Sequence, residues 1–336
     1  MSPPPAEPKH ASPHHELVKG VRGGSRRALA KAITLVESTR ADDLSSANAL
    51  LDALHPFTGG ALRIGLSGAP GVGKSTLVEA LGLHLVAEGH RPAVLAVDPS
   101  SSVSGGSVLG DKTRMERLGR ADAAFIRPSP SAGAPGGVAA RTPEAIAVCE
   151  AAGFDVVIVE TVGVGQAEIE VAGMTDVFVL LELPFAGDGL QAIKRGSTEL
   201  ADVVVYAKAD LDEVAAEVAC VRMSDALGLL RPPSPAWRPR ALTVSALTGQ
   251  GVAELWAELE HARDSLVAAG AIAARRRLQS VTRMWRLIDA ELRNGFESDG
   301  AVQGRLAAVE EAVARGETTP AAAAAELLVL AGCRAR

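Results

Sequence analysis

From residue 16 to about 54, apolar residues recur at helical spacing: Leu29, Ile33 and Val36, then Leu44, Ala47, Leu50, Leu51 and Leu54. The spacing predicts two helices, the second opening at Asp42 or Asp43 as its N-cap. The rhythm then changes. Short apolar runs alternate with longer helical stretches. The runs are ALRIGLSG (61–68), PAVLAVD (92–98), AAFIRP (123–128), FDVVIVET (154–161), DVFVLLEL (176–183), DVVVYAK (202–208) and RALTVSAL (240–247). Continuous Val/Ile/Leu runs with helices between them predict a mostly parallel α/β sheet covered on both faces. After Gly249 the pattern is helical to the end, in four segments, with Thr319-Pro320 as a cap and first helical residue. Pattern alone leaves this tail either as extra packing helices or as an arm joining two copies. The expected organisation is a disordered tail over 1–15, a helical segment over 16–58, an α/β domain over 59–262 and a helical arm over 263–336.

Composition narrows the class. The chain has 336 residues, 47% hydrophobic and 22% charged, enough to bury a substantial core. Its net charge is −6, which argues against a protein built to coat nucleic acid. No apolar run is long enough for a transmembrane helix, and the Pro- and His-rich start has no apolar signal core. The three cysteines, Cys149, Cys220 and Cys333, are far apart and form no CxxC pair. That usage suits a reducing compartment, and a cytoplasmic location is expected.

The clearest chemistry lies in GAPGVGKST (68–76), which fits G-x-x-x-x-G-K-[ST] after a predicted strand and before a predicted helix. In such a loop Gly68, Gly71, Val72 and Gly73 let backbone N–H groups face phosphate oxygens, and the helix N-terminus adds a favourable field. Lys74 reaches the β- and γ-phosphates, Ser75 supplies a hydroxyl to Mg²⁺, and Thr76 continues the loop into the helix. Mg²⁺ prefers hard oxygen ligands. Asp98 and Glu160 each end a strand nearby. Asp98, followed by Pro99, also fits a turn cap; a charge directly after VVIV at Glu160 is harder to explain by packing. Gly163 is placed to offer its N–H to a γ-phosphate.

A second constellation reads the base. YAKAD (206–210) ends a strand on the ligand-binding side of the predicted sheet. Asp210 would accept from guanine N1–H and the 2-amino group, which adenine cannot offer. The Lys208 stem would lie over the ring. VSALTG (244–249) follows at the next strand end, where Ser245, Ala246 and Leu247 form a loop whose N–H, from Ala246, suits guanine O6. Ala207 stands where the usual signature has Asn. A neutral hydrogen bond contributes roughly 0.5–1.5 kcal/mol and one to a charged group about 1.5–3, so Asp210 should keep the guanine preference at weaker affinity.

Further blocks carry a family resemblance: VDPSSSVSGGSVLGDKTRM (97–115), FIRPSPSAGAPGGVAARTPEAI (125–146), EAAGFDVVIVETVGVGQAE (150–168), AGDGLQAIKRG (186–196) and SALTGQGVAELW (245–256). With them the chain resembles the MeaB-like (ArgK, LAO-type) GTPases, relatives of the nickel-insertion GTPases. The resemblance implies a homodimeric GTPase, bound to GTP or GDP with Mg²⁺. Such a protein gates cofactor loading and protects an adenosylcobalamin-dependent acyl-CoA mutase, chiefly methylmalonyl-CoA mutase. It implies hydrolysis that is slow alone and stimulated by the mutase, and a C-terminal dimer arm; from charge and apolar pattern, no nucleic-acid or membrane partner is expected. It carries Mg²⁺ and switch roles onto Ser75, Asp98, Asp111 and Glu160, and makes Lys112 and Arg114 candidates for stabilising the transferring phosphoryl group, or else surface charges. The chain departs from the family pattern at Ala207 and in LPFAGDGLQ (183–191), at Phe185 and Gly189. The competing readings are a nickel-delivery GTPase, which would want a Cys/His-rich insertion, and a P-loop kinase, which would want an acceptor pocket and a base.

Overall fold

The seven apolar runs form seven strands of one sheet. They are β1 (Leu62–Gly68), β2 (Pro92–Asp98), β3 (Phe125–Pro130), β4 (Val156–Thr161), β5 (Val177–Glu182), β6 (Val203–Ala207) and β7 (Arg240–Val244). The spatial order is β3-β2-β4-β1-β5-β6-β7, and every neighbouring pair runs parallel. The structure is a computed structural model and describes residues 13–38, 40–98, 115–130, 141–161, 166–184 and 195–332.

The runs are apolar without alternation because both faces are covered. Successive residues of one strand enter opposite cores. Val157, Val159, Phe178, Leu180 and Val204 belong to one core, while Ile158, Val179, Leu181, Val203 and Val205 belong to the other. The first core is closed by the N-terminal helices, through Ile33 and Leu50, and by the helix Thr142–Ala151, through Ile146. The second is closed by Leu77 and Leu81 of the helix Lys74–Ala87 and by Leu255 and Leu259 of the helix Val252–Ala268.

The helices that follow the N-terminal segment are α4 (Lys74–Ala87), α5 (Glu116–Gly119), α6 (Thr142–Ala151), α7 (Gln166–Ala172), α8 (Arg195–Leu200), α9 (Glu213–Leu229) and α10 (Val252–Ala268). The N-terminal segment itself corrects the sequence expectation. It contains three helices, not two: α1 (Pro13–Arg22), α2 (Arg26–Glu37) and α3 (Ala41–Leu54). Gly24 takes a φ of 74° after α1, and the Ser25 side chain caps α2 by accepting from Ala28 N–H. Neither Asp42 nor Asp43 is the N-cap of α3. Both lie in its first turn, where carboxylates suit the helix dipole, and Asp43 accepts instead from the Ser38 hydroxyl at 2.6 Å.

Contacts divide the chain into two compact units, residues up to 276 and residues 277–336. The helix α11 (Ala271–Ser298) begins in the first unit. There Arg276 donates to both oxygens of the buried Asp176 carboxylate, at 2.7 and 2.5 Å, and to the Gly59 and Ala61 carbonyls, each at 2.6 Å. Arg275 donates to the buried Asp202 at 3.0 and 3.3 Å and to the Asp176 carbonyl. The two carboxylates in turn accept from the N–H groups of Arg63 and Phe178, at the N-terminal edge of the sheet. In the second unit, α12 (Gly300–Ala314) and α13 (Pro320–Leu330) pack through Val302, Val309, Ala323 and Leu327. Thr319 caps α13 by accepting from Ala322 N–H, and Pro320 sits in its first turn.

Candidate functional site

The sheet's C-terminal edge gathers the predicted residues. β1 ends at Gly68, where a Cβ would stand 2.4 Å from the Leu181 carbonyl oxygen of β5. Only glycine lets the chain leave the sheet there. The loop then turns through Gly71, at φ 77°, and Gly73, at φ 109°, and Gly73 is the N-cap of α4. Lys74, the first residue of α4, folds back into this loop. Its Nζ donates to the carbonyls of Gly68 at 2.7 Å and Ala69 at 3.0 Å. Burial lowers its pKa, while the charges of Glu160 and then Glu168 oppose that shift.

Ser75 follows on the same helix turn and donates its hydroxyl to Glu160 Oε1 at 2.7 Å. Glu160 is buried at the end of β4, the strand paired with β1, and Leu66 of β1 is its register partner. One residue on, Thr161 shares a buried 2.8 Å hydrogen bond with Ser67. A serine hydroxyl and a carboxylate at hydrogen-bond distance beside a phosphate loop are a hard-oxygen donor set, and it fits Mg²⁺. The backbone of Asp98 closes β2 on this same edge, next to β4. Asp111, Lys112 and Gly163 lie outside the described residues, as do Phe185 and Gly189.

The two segments expected to read the base meet the phosphate loop across a cavity of about 340 Å³. Val72, Gly73 and Thr76 line one side. Ala207, Lys208, Asp210 and Leu211 line another, and Val244, Ala246 and Leu247 a third. Lys208 is the one described non-glycine residue at positive φ, 59°. Its ammonium donates to the Gly71 carbonyl at 2.8 Å, which ties the end of β6 to the phosphate loop. Ser245 is buried and organises the next loop rather than lining the cavity. Its hydroxyl accepts from Thr248 N–H at 3.2 Å, its N–H donates to Gln250, and its carbonyl accepts from Gly249 N–H. Gly251 has no room for a side chain, since a Cβ would meet the Thr243 carbonyl at 2.3 Å.

One neighbour of the site escaped the sequence reading. Glu168 of α7 is buried and accepts a short hydrogen bond from Ser197 of α8. It acts on Lys74 through its field. The available signal was weak: Glu168 falls three residues before the buried Val171, on the same helical face.

Comparison with known proteins shows the family. A family model described as "Methylmalonyl Co-A mutase-associated GTPase MeaB" matches residues 29–301. The chain belongs to the MeaB family. A Caulobacter vibrioides protein carrying a GTPase name is 53% identical over 317 residues, 94% of this chain and 96% of that one. The mouse methylmalonic aciduria type A homolog, mitochondrial, is 44% identical over 326 residues, 93% of this chain and 78% of that one. A crystal structure of an LAO/AO transport system kinase superposes with a TM-score of 0.75 at 37% identity, covering 96% of this chain and 98% of that one. The MeaB-family chain therefore has the parallel P-loop fold expected of its sequence, and its relatives bear the names of GTPases.

Proposed function

We propose that this chain is a guanine-nucleotide switch. It binds GTP and GDP, hydrolyses GTP slowly alone and faster with a partner, and gates cofactor loading of an adenosylcobalamin-dependent acyl-CoA mutase while protecting it. The partner class follows from the family description, which names methylmalonyl-CoA mutase. The observation that carries the nucleotide half is the single cavity shared by the phosphate loop, Asp210 and the Ala246–Leu247 turn. Phosphates would occupy the loop around Lys74, with Gly163 at the γ-phosphate. The base would lie between Lys208 and Leu247, its donor edge on Asp210 and its O6 on Ala246 N–H.

The metal would be held by Ser75 and Glu160, with Asp98 and Asp111 contributing directly or through water. When bound, Mg²⁺ draws negative charge from the β- and γ-phosphates. The chain's own residues do the rest. Lys74 places a positive charge inside the loop, Glu160 holds the Ser75 hydroxyl in position, and Lys112 supplies further charge to the reacting phosphoryl group.

The C-terminal arm expected over 263–336 serves in this reading for dimerisation, through its part beyond the first unit, residues 277–336. Leu278, Val281, Trp285, Ile288 and Leu292 of α11 are all exposed. They recur at alternating three- and four-residue steps, the pattern of a helix that pairs with another. The two described cysteines, Cys149 and Cys220, are free thiols, which suits a cytoplasmic setting. GTP turnover by the purified chain, measured with and without a methylmalonyl-CoA mutase, tests the switch. Acceleration by the mutase is expected, and turnover indifferent to it contradicts the partner assignment.

A further inference from the structure

A purine is recognised by donors and acceptors set against its polar edges, and the cavity's inventory of them is short. Among the described residues, Asp210 is the only acidic side chain lining it. The side-chain donors on its wall are Lys208 and Thr76. The Lys208 ammonium is turned towards the phosphate loop, where it donates to the Gly71 carbonyl at 2.8 Å. Thr76 belongs to the first turn of α4, directly after Lys74 and Ser75, and so stands at the phosphate end. At the end of β6 the wall is the methyl group of Ala207, 6% exposed, and the remaining side chains, such as Leu211, Val244 and Leu247, are aliphatic. Among the described residues the Ala246 N–H makes no hydrogen bond within the chain.

These donors and acceptors match three of guanine's groups and leave its ring acceptors, positions 3 and 7. Asp210 takes N1–H and the 2-amino group. Ala246 N–H suits O6. Among the described residues that line the cavity, none offers a side-chain donor at the β6 end to meet position 7, on the opposite edge of the ring from Asp210. Resting on the guanine reading above, we propose that this site recognises guanine by its Watson–Crick edge alone and is blind at position 7. It therefore accepts guanine nucleotides that carry carbon in place of nitrogen there. Ala207 is the specificity-determining residue. An amide at that position would restore a donor beside the ring.

The test is calorimetric titration of the full chain with GDP, 7-deaza-GDP and ADP, repeated with Ala207→Asn. The wild-type chain should bind GDP and 7-deaza-GDP within about twofold of one another, both more tightly than ADP. Ala207→Asn should tighten GDP by roughly two- to tenfold, the range of one neutral hydrogen bond, and leave 7-deaza-GDP unchanged. A several-fold loss for 7-deaza-GDP in the wild-type chain would show that a donor does reach position 7 and overturn the proposal. Equal affinity for GDP and ADP would instead remove the guanine reading on which it rests. The wild-type comparison decides the matter even if the variant does not fold.

Discussion

Lys74 sits under two opposed influences. Burial disfavours its charge, and Glu160 and Glu168 support it, with burial the larger effect. Its pKa in the folded chain therefore lies below 10.5. The sign of the consequence is fixed. At pH below the lowered value, Lys74 is protonated in both folded and unfolded chains, and its burial weighs against folding. As pH rises from the lowered value towards 10.5, the unfolded chain binds the extra proton, and that penalty is relieved. Phosphates in the loop would restore the charge. Nucleotide binding in that alkaline window should thus take up protons, measurable as a binding enthalpy that varies with the ionisation enthalpy of the buffer. Buffer-independent enthalpy would mean that Lys74 stays fully charged without nucleotide. Lys208 is the other costly residue. A non-glycine side chain in the left-handed region costs about 1–2 kcal/mol, and the bond to Gly71 helps hold it there.

The elements show which parts of the fold were legible and which were not. Each strand was visible because its residues fill two cores at once, which leaves no polar alternation to confuse the reading. The phosphate loop was visible because its glycines are required by geometry, most plainly Gly68 against Leu181. The break between α1 and α2 was missed although Gly23-Gly24-Ser25 spelled a stop and a cap, because the apolar spacing on either side continued. The arginine clamp was not legible at all. Arg276 and Asp176 are 100 residues apart, and each taken alone looks like an ordinary surface charge. Asp176 is in fact fully buried. Removing one member of a buried pair leaves a charge without its counterpart, at a cost of about 3–5 kcal/mol. Arg276→Ala should lower the urea midpoint accordingly while leaving the nucleotide cavity, at the opposite edge of the sheet, able to bind GDP. A midpoint unchanged from wild type would show that the clamp contributes nothing.

For the whole molecule, the same clamp decides where the chain can be cut. A truncation at 271 would discard Arg275 and Arg276 with the arm and confuse folding with assembly. A truncation after Arg276 keeps the first unit's contacts and removes the exposed Leu278–Leu292 stripe. That shorter chain should be folded, bind GDP and be monomeric by light scattering, with the full chain dimeric. A truncated chain that remained dimeric would place the interface elsewhere.

The central claim is that one cavity joins a phosphate loop to a guanine-reading carboxylate despite the alanine at 207. Titration of the full chain with GDP and with ADP, each with Mg²⁺, tests it most directly, together with Asp210→Asn. The account predicts a clear preference for GDP that falls by roughly ten- to a hundredfold in the variant, the range of a hydrogen bond to a charged group. Equal affinities for GDP and ADP in the wild-type chain, or a preference untouched by Asp210→Asn, would contradict it.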